Sequence, residues 1–288
     1  KWPADSTAGE ILKQAGLVQR RRRRRRASPY TEPFGDCDRP NRVWSADFKG
    51  DFALADGKRC YPLTITDNYS RYLLQCRGLK RTTYRSVQPW FEWVFREVGL
   101  PEAIRTDNGP PFASLAVGGL SGLSKWFIQL GIRPERIRPG KPGQNGRHER
   151  MHRTLKAAAI ESGRDTMVEQ QQRFDAFIEE YNTLRSHESL DRQTPASHYE
   201  PSSRPYPAKV PPVTYDEGVT VRSVRHNGQI KWQGRLVYVS DLLAKEPVRL
   251  TQVDESRWEL RYSFHLLGYL DDGIDIIVPA KGWHGAKS

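Results

Sequence analysis

Between residues 43 and 140 the chain switches repeatedly between the two-residue period of a strand and the longer period of a helix. VWSADFKGDF and CYPLTITDNY predict a pair of strands joined through a turn around Asp56-Gly57, and RYLLQCRGL predicts a third. TTYRSVQPWFEWVFREVG carries apolar residues at helical spacing, EAIRTD reads as a short strand, GLSKWFIQLG as a second helix and IRPERIRP as a fifth strand. Three strands followed by alternating helices and strands predict an α/β core on one mixed sheet. Helical spacing returns after GKPGQNG, from about Arg147 to Ser162 and again from Met167 to Leu184. Beyond the Pro-rich connector PSSRPYPAKVPP, residues 215–280 alternate in short runs broken at Asn227-Gly228, Gln233-Gly234 and Asp272-Gly273, which predicts a small all-β barrel.

Upstream, STAGEILKQAGL opens on a Ser/Thr N-cap, carries a short apolar stripe and closes on Gly16, as a compact helix does. A basic run follows at once, and residues 27–42 read as a linker rich in Pro, Gly and Asp. The expected organisation is therefore the end of a helix-turn-helix-like DNA-binding region with a basic arm (1–26), an ordinary surface helix being the plainer reading of its first part, a linker (27–42), the α/β core (43–200), a Pro-rich linker (201–213) and the small β-barrel (214–280), a DNA-binding or assembly domain.

Composition sharpens this picture in two ways. The formal net charge is +12, and Arg20, Arg21, Arg22, Arg23, Arg24, Arg25 and Arg26 supply 7 of it, so much of the excess is local. Such a run points to a polyanion, with nucleic acid ahead of an anionic membrane because no amphipathic helix accompanies it; a solvated basic linker is the plainer alternative. The three cysteines are odd in number and form no C-x-x-C pair, which argues against a disulfide framework and fits a reducing, cytoplasmic setting. No apolar run approaches the roughly 20 residues needed to cross a bilayer, and no signal-peptide core is evident.

Three acids stand out by context. Strand alternation in VWSADFKG puts Ser45, Asp47 and Lys49 on one face and Trp44, Ala46 and Phe48 on the other. Asp107 falls at the carboxyl end of a strand, just before an Asn-Gly turn, an edge that ligand sites in α/β sheets favour. Glu149 begins the helix that follows a glycine-rich basic loop, with Arg153 and Lys156 on its own helical face. Carboxylates are the hard ligands that Mg²⁺ or Mn²⁺ require, and two such ions can activate and stabilise the oxygens of a phosphodiester displacement. Lys141, Asn145, Arg147 and Arg150, with Arg153 and Lys156, would contact DNA.

Glu149 also lies inside HERMH, residues 148–152, which matches the His-Glu-x-x-His spacing of zinc peptidases. That reading needs a third ligand, and the extended form fails because Leu155 and Ala158 stand where Gly and His belong.

In order along the chain, WSADFKG, RTDNGPPF and GQNGRHERMHRTLK resemble the three acidic motifs of the retroviral-integrase superfamily, and specifically bacterial insertion-sequence transposases with a DDE core. YNTLRSHESLDRQTPASHY resembles the segment that follows the core in those transposases. The resemblance implies a ribonuclease H-like five-stranded mixed sheet flanked by helices, Asp47, Asp107 and Glu149 as catalytic residues holding two Mg²⁺ or Mn²⁺ ions, and Lys156 on a terminal DNA phosphate. It further implies double-stranded DNA as substrate, a dimer or higher multimer on paired ends, and a bacterial, cytoplasmic, nucleoid-associated location. The interval from Asp107 to Glu149 is longer than in retroviral integrases, and the extra residues fit SLAVGGLSGLS as a surface loop. The rival readings are a catalytically inert DNA-binding protein on the same core and, further off, the zinc peptidase. Tyr181, His187 and Tyr199 are expected to pin the chain after the last core helix, and Trp232 to sit in the β module's core or stack on a base.

Overall fold

In a computed structural model of the chain, the strand periods of the central segment become one mixed sheet. The structure describes residues 37–114, 116–137, 145–160, 165–271 and 277–278, with Thr7, Glu10, Ile11, Gln14 and Ala15 near the start. The chain divides into two units, Lys1–Pro33 and Phe34–Ser288. In the first, Thr7, Glu10, Ile11 and Gln14 are helical, as the N-terminal pattern predicts; Arg20–Arg26 lie outside the described residues.

In the second unit, β1 (Val43–Phe48), β3 (Arg59–Asp67) and β4 (Leu73–Leu79) run antiparallel, while β5 (Ala103–Thr106) and β6 (Arg133–Arg136) add on parallel. The order is β4-β3-β1-β5-β6, with the two-residue β2 (Phe52–Ala53) paired to the start of β3. Pro134 is tolerated because β6 is an edge strand.

Both faces are covered, so alternation along each strand distributes side chains between two cores rather than between core and water. Trp44, Ala46, Leu63 and Ile65 pack with Phe91 and Phe95 of α1 (Tyr84–Val98) and Phe127 of α2 (Gly122–Gln129). Cys60, Leu73 and Cys76 pack on the other side with Met151 and Leu155 of α3 (Gly146–Ala159) and Phe174 of α4 (Met167–Thr183). Cys60 and Cys76 are buried free thiols, and burial pushes both up in pKa.

The segment after α4 is tied back onto the core. Tyr199 stacks on Tyr72 at 4.3 Å and donates to Asn41 Oδ1 at 3.1 Å, while Asn41 Nδ2 donates to the Glu200 carbonyl at 2.7 Å. Tyr181 is buried, with the His187 ring edge-on to it at 5.0 Å. Arg204 then donates to the carbonyls of Pro101 and Leu130.

The expected C-terminal barrel is not what the described strands form. β7 (Thr220–Ser223), β10 (Pro247–Gln252), β11 (Arg257–Tyr262), β12 (His265–Asp271) and β13 (Ile277–Val278) make an open antiparallel sheet, and β8 (Gln229–Trp232) with β9 (Arg235–Tyr238) makes a separate ribbon. Closure is one way to cover a sheet's apolar face. Here Leu120 and Ile128 of the α/β core join Val248, Leu250, Leu260 and Tyr262 in a shared cluster. The glycine-rich stretch expected to be a surface loop supplies this contact: Leu120 is fully buried and Gly118 sits against the chain at Leu266 and Leu267. A Cβ on Gly118, whose φ is +62°, would meet the Leu266 carbonyl oxygen at 3.0 Å. Trp232 is core, edge-on to Trp258 at 4.8 Å. The turn expected at Asp272-Gly273 lies outside the described residues.

Candidate active site

Asp47 projects from β1 directly opposite Thr64 of β3, on the sheet face that α3 covers. Its Oδ1 accepts from the Phe48 N–H at 2.8 Å. Asp107 leaves the carboxyl end of β5, where its Oδ1 accepts from the Gly109 N–H at 3.1 Å. The Asn108 side chain anchors that turn by donating to the Ile137 carbonyl at 2.8 Å, beyond β6. Glu149 lies in the first turn of α3 and is exposed, as are Arg153 and Lys156.

Electrostatics links the three acids. Asp47 is pushed up to about 7, first by burial, then by the negative charge of Asp107 and, more weakly, of Glu149, against the opposing pull of the Phe48 N–H and Lys49. Burial also raises Asp107, partly offset by the Gly109 N–H. Three acids from a strand, a strand end and a helix therefore share one field, which a divalent cation would relieve.

The two histidines of HERMH are not partners of an open metal position. His148 is 1% and His152 6% exposed, and both Nε2 atoms lie 2.7 Å from Thr64 Oγ1. Thr64 has one hydroxyl proton, which it directs to the Asp47 carbonyl oxygen at 3.1 Å. Its oxygen must then accept from the Nε2–H of both rings, and His148 Nδ1, 2.8 Å from Thr66 Oγ1, accepts the Thr66 proton. Asp47, His148 and His152 offer ligand atoms within 4.8 Å of one another, the one such group among the described residues. Yet both ring nitrogens of His148 are already engaged, as is Nε2 of His152, so a zinc ion there would have to break this network. Burial holds His148 down at about 3 and His152 at about 2, so both are neutral. The zinc-peptidase reading is corrected on these grounds, and with burial this deep neither histidine is available to touch DNA.

The remaining expected DNA contacts separate. Arg147 and Arg150 lie on a different flank of α3 from Glu149, Arg153 and Lys156, bordering a pocket with Arg71. Asn145 is 4% exposed at the N-cap of α3, not displayed on a surface, and its Oδ1 is buried without a hydrogen-bond partner. Lys141 lies outside the described residues. The pattern-based reading missed Thr64, Thr66, Asp67 and Arg71. The first two alternate in phase with Asp47's face in LTITD, a legible signal, but their histidine partners are more than 80 residues away. Asp67 is fully buried and accepts from Asn41 N, Ser70 N and Ser70 Oγ, fixing the β3–β4 turn.

The mixed β4-β3-β1-β5-β6 sheet and helix α3 carry these three acids. Two matches, each to an integrase core domain, cover residues 38–142 and 130–195; this part of the chain belongs to the integrase core family. Among relatives, a protein of insertion element IS407 from Burkholderia multivorans is 30% identical over 188 residues, 65% of each chain. A protein of insertion element IS476 from Xanthomonas euvesicatoria is 30% identical over 180 residues, 62% of this chain and 50% of that one. The alignments thus span between half and two-thirds of these relatives' lengths. Among solved structures, a chain of the simian T-cell lymphotropic virus intasome in complex with PP2A regulatory subunit B56 gamma aligns over 92% of this chain and 90% of its own, at 18% identity and a TM-score of 0.49. No helix among the described residues is long and apolar enough to cross a membrane.

Proposed function

We propose that this protein is a DNA transposase of the DDE type on a ribonuclease H-like core, hydrolysing a phosphodiester at the end of a mobile element and joining the freed 3′-hydroxyl to target DNA. The observation that carries the reading is the coupling of Asp47 to Asp107 and Glu149 from three separate elements of an integrase core. Their carboxylate oxygens suit hard cations, and Asp47, partly protonated near neutrality, gains its full charge beside one. Two Mg²⁺ or Mn²⁺ ions would supply the charge that activates the attacking oxygen and stabilises the leaving one. The chain's own part is positional. The Phe48 and Gly109 N–H groups orient Asp47 and Asp107, the Thr64–histidine network holds α3 against β1, and Arg153 and Lys156 present cations beside Glu149 for the phosphates. Each step exchanges one phosphodiester bond for another or for water, so no nucleotide cofactor is called for. Arg20–Arg26 and Lys141 would add phosphate contacts, and two element ends imply at least a dimer.

The test is incubation of the protein with labelled duplexes carrying candidate element ends, with and without Mg²⁺ or Mn²⁺. Nicking and strand transfer are expected from wild type and should fall at least a hundredfold in Asp107→Asn, as for loss of a main electrostatic element. Metal-independent products, or equal products from the variant, would reject the assignment; DNA binding without any product from correct ends would favour the inert alternative.

A further inference from the structure

On the flank of α3 away from Glu149 lies a pocket of about 260 Å³ bordered by Arg71, Gly146, Arg147, Arg150, Tyr181 and the segment His187–Ser189. At about 100° per residue, Arg147 and Arg150 stand roughly 160° and 100° around the helix from Glu149. The pocket is therefore separate from the acid trio.

Its walls are built for an anion. Arg71, at φ +67° in the β3–β4 turn, donates through Nη1 to the carbonyls of Asn68 and Tyr69. Arg147 Nη1 donates to the same Asn68 carbonyl at 2.8 Å. Two guanidinium heads thus converge on one oxygen. Burial and then repulsion from Arg147 pull Arg71 down to about 10. Arg150 is exposed and has neither ion pair nor side-chain hydrogen bond among the described residues. His187 Nε2 is buried beside them with no hydrogen-bond partner. The 14-residue α3 begins beside the pocket at Gly146, and its N-cap Asn145 makes no side-chain capping bond among the described residues. On the acidic side, Glu188 borders the pocket and forms no ion pair among the described residues, and Asp67 already accepts three hydrogen bonds.

We propose that this pocket holds a phosphodiester of the DNA backbone, distinct from the one processed at the acid trio, gripped by Arg71, Arg147, Arg150 and His187 Nε2. The proposal rests on the reading of the protein as a DNA-binding one. Three forked donors and a helix N-terminus match a tetrahedral anion with several acceptor oxygens better than a single carboxylate. A grip on the far side of α3 would hold the DNA in register while the acid trio handles another phosphate, without reading its sequence.

The experiment measures binding of a random-sequence duplex by fluorescence anisotropy over a salt series without divalent ions, so that no cleavage enters. Arg150→Ala and Arg71→Gln are each expected to weaken binding about tenfold, the order expected for losing a hydrogen bond to a charged group, and to reduce the salt slope by about one. In parallel, the His187 imidazole resonances should shift on adding the duplex, in wild type and equally in Asp107→Asn. That second arm separates this proposal from the catalytic one, because it survives loss of cleavage. Wild-type affinity in Arg150→Ala together with an unmoved His187 signal would overturn the proposal. So would displacement of the signal by polyglutamate but not by DNA.

Discussion

At Thr64, one hydroxyl joins three groups: the carbonyl of Asp47 and the Nε2 atoms of His148 and His152. Thr64→Val keeps the volume and removes every one of these bonds, leaving buried polar groups unmet at about 1–3 kcal/mol each. The unfolding free energy should fall accordingly, by about 3 kcal/mol or more in all, whereas Thr64→Ser should recover most of the loss; equal effects of the two would show that packing, not the hydroxyl, matters. The buried histidines make a second prediction. His152, held at about 2 in the folded chain, regains an ordinary value near 6.5 on unfolding. Below about pH 6 the unfolded state then binds one more proton than the folded state, so stability falls with falling pH through this window. His152→Gln keeps an N–H donor that does not titrate. Between pH 6 and 4 wild type should lose about 2–3 kcal/mol more than this variant, read from urea unfolding, and parallel pH profiles would refute the buried neutral assignment.

Helix α3 divides its work around its circumference. Met151, Leu155 and Ala159 face α4 and β4 in one cluster, His148 and His152 face β3, and Glu149, Arg153 and Lys156 are exposed. Leu155 is fully buried, so Leu155→Ala should cost about 2–5 kcal/mol. Lys156→Ala should leave stability within about 0.5 kcal/mol while weakening DNA binding. A stability loss at Lys156 as large as at Leu155 would mean that the faces are misassigned. The helical period in RHERMHRTLKAAA showed that one face is apolar, and His148 and His152 share the phase of Met151 and Leu155. What the period could not supply was the pair of threonines that makes a polar inward edge tolerable.

Over the full chain, the basic run and the core are separate units, which allows their charges to be weighed apart. Removing residues 1–33 takes away the seven arginines Arg20–Arg26. If all seven meet phosphates, the slope of log affinity against log salt should become shallower by about 6, with core melting unchanged. An unaltered slope would assign the run to solvent, the plainer alternative raised by its composition.

Order and type of the core elements, the family, and the placing of Asp47 on a strand, Asp107 at a strand end and Glu149 at a helix start were legible in the sequence, because strand and helix periods are local and the motifs keep their order along the chain. The same local signals were misleading where distant segments meet. SLAVGGLSGLS looks like solvent-facing punctuation, yet Leu120 is fully buried in the cluster it shares with the C-terminal strands, and Gly118 sits against Leu266 and Leu267. HERMH looks like a metal site, yet hydroxyls on β3 take up its ring nitrogens. Arg147 and Arg150 look like companions of Glu149, yet they border a separate pocket with Arg71 of the β3–β4 turn. Periodicity states which side of an element a residue occupies; only the tertiary structure decides what that side meets, since burial and hydrogen bonding depend on partners remote in sequence.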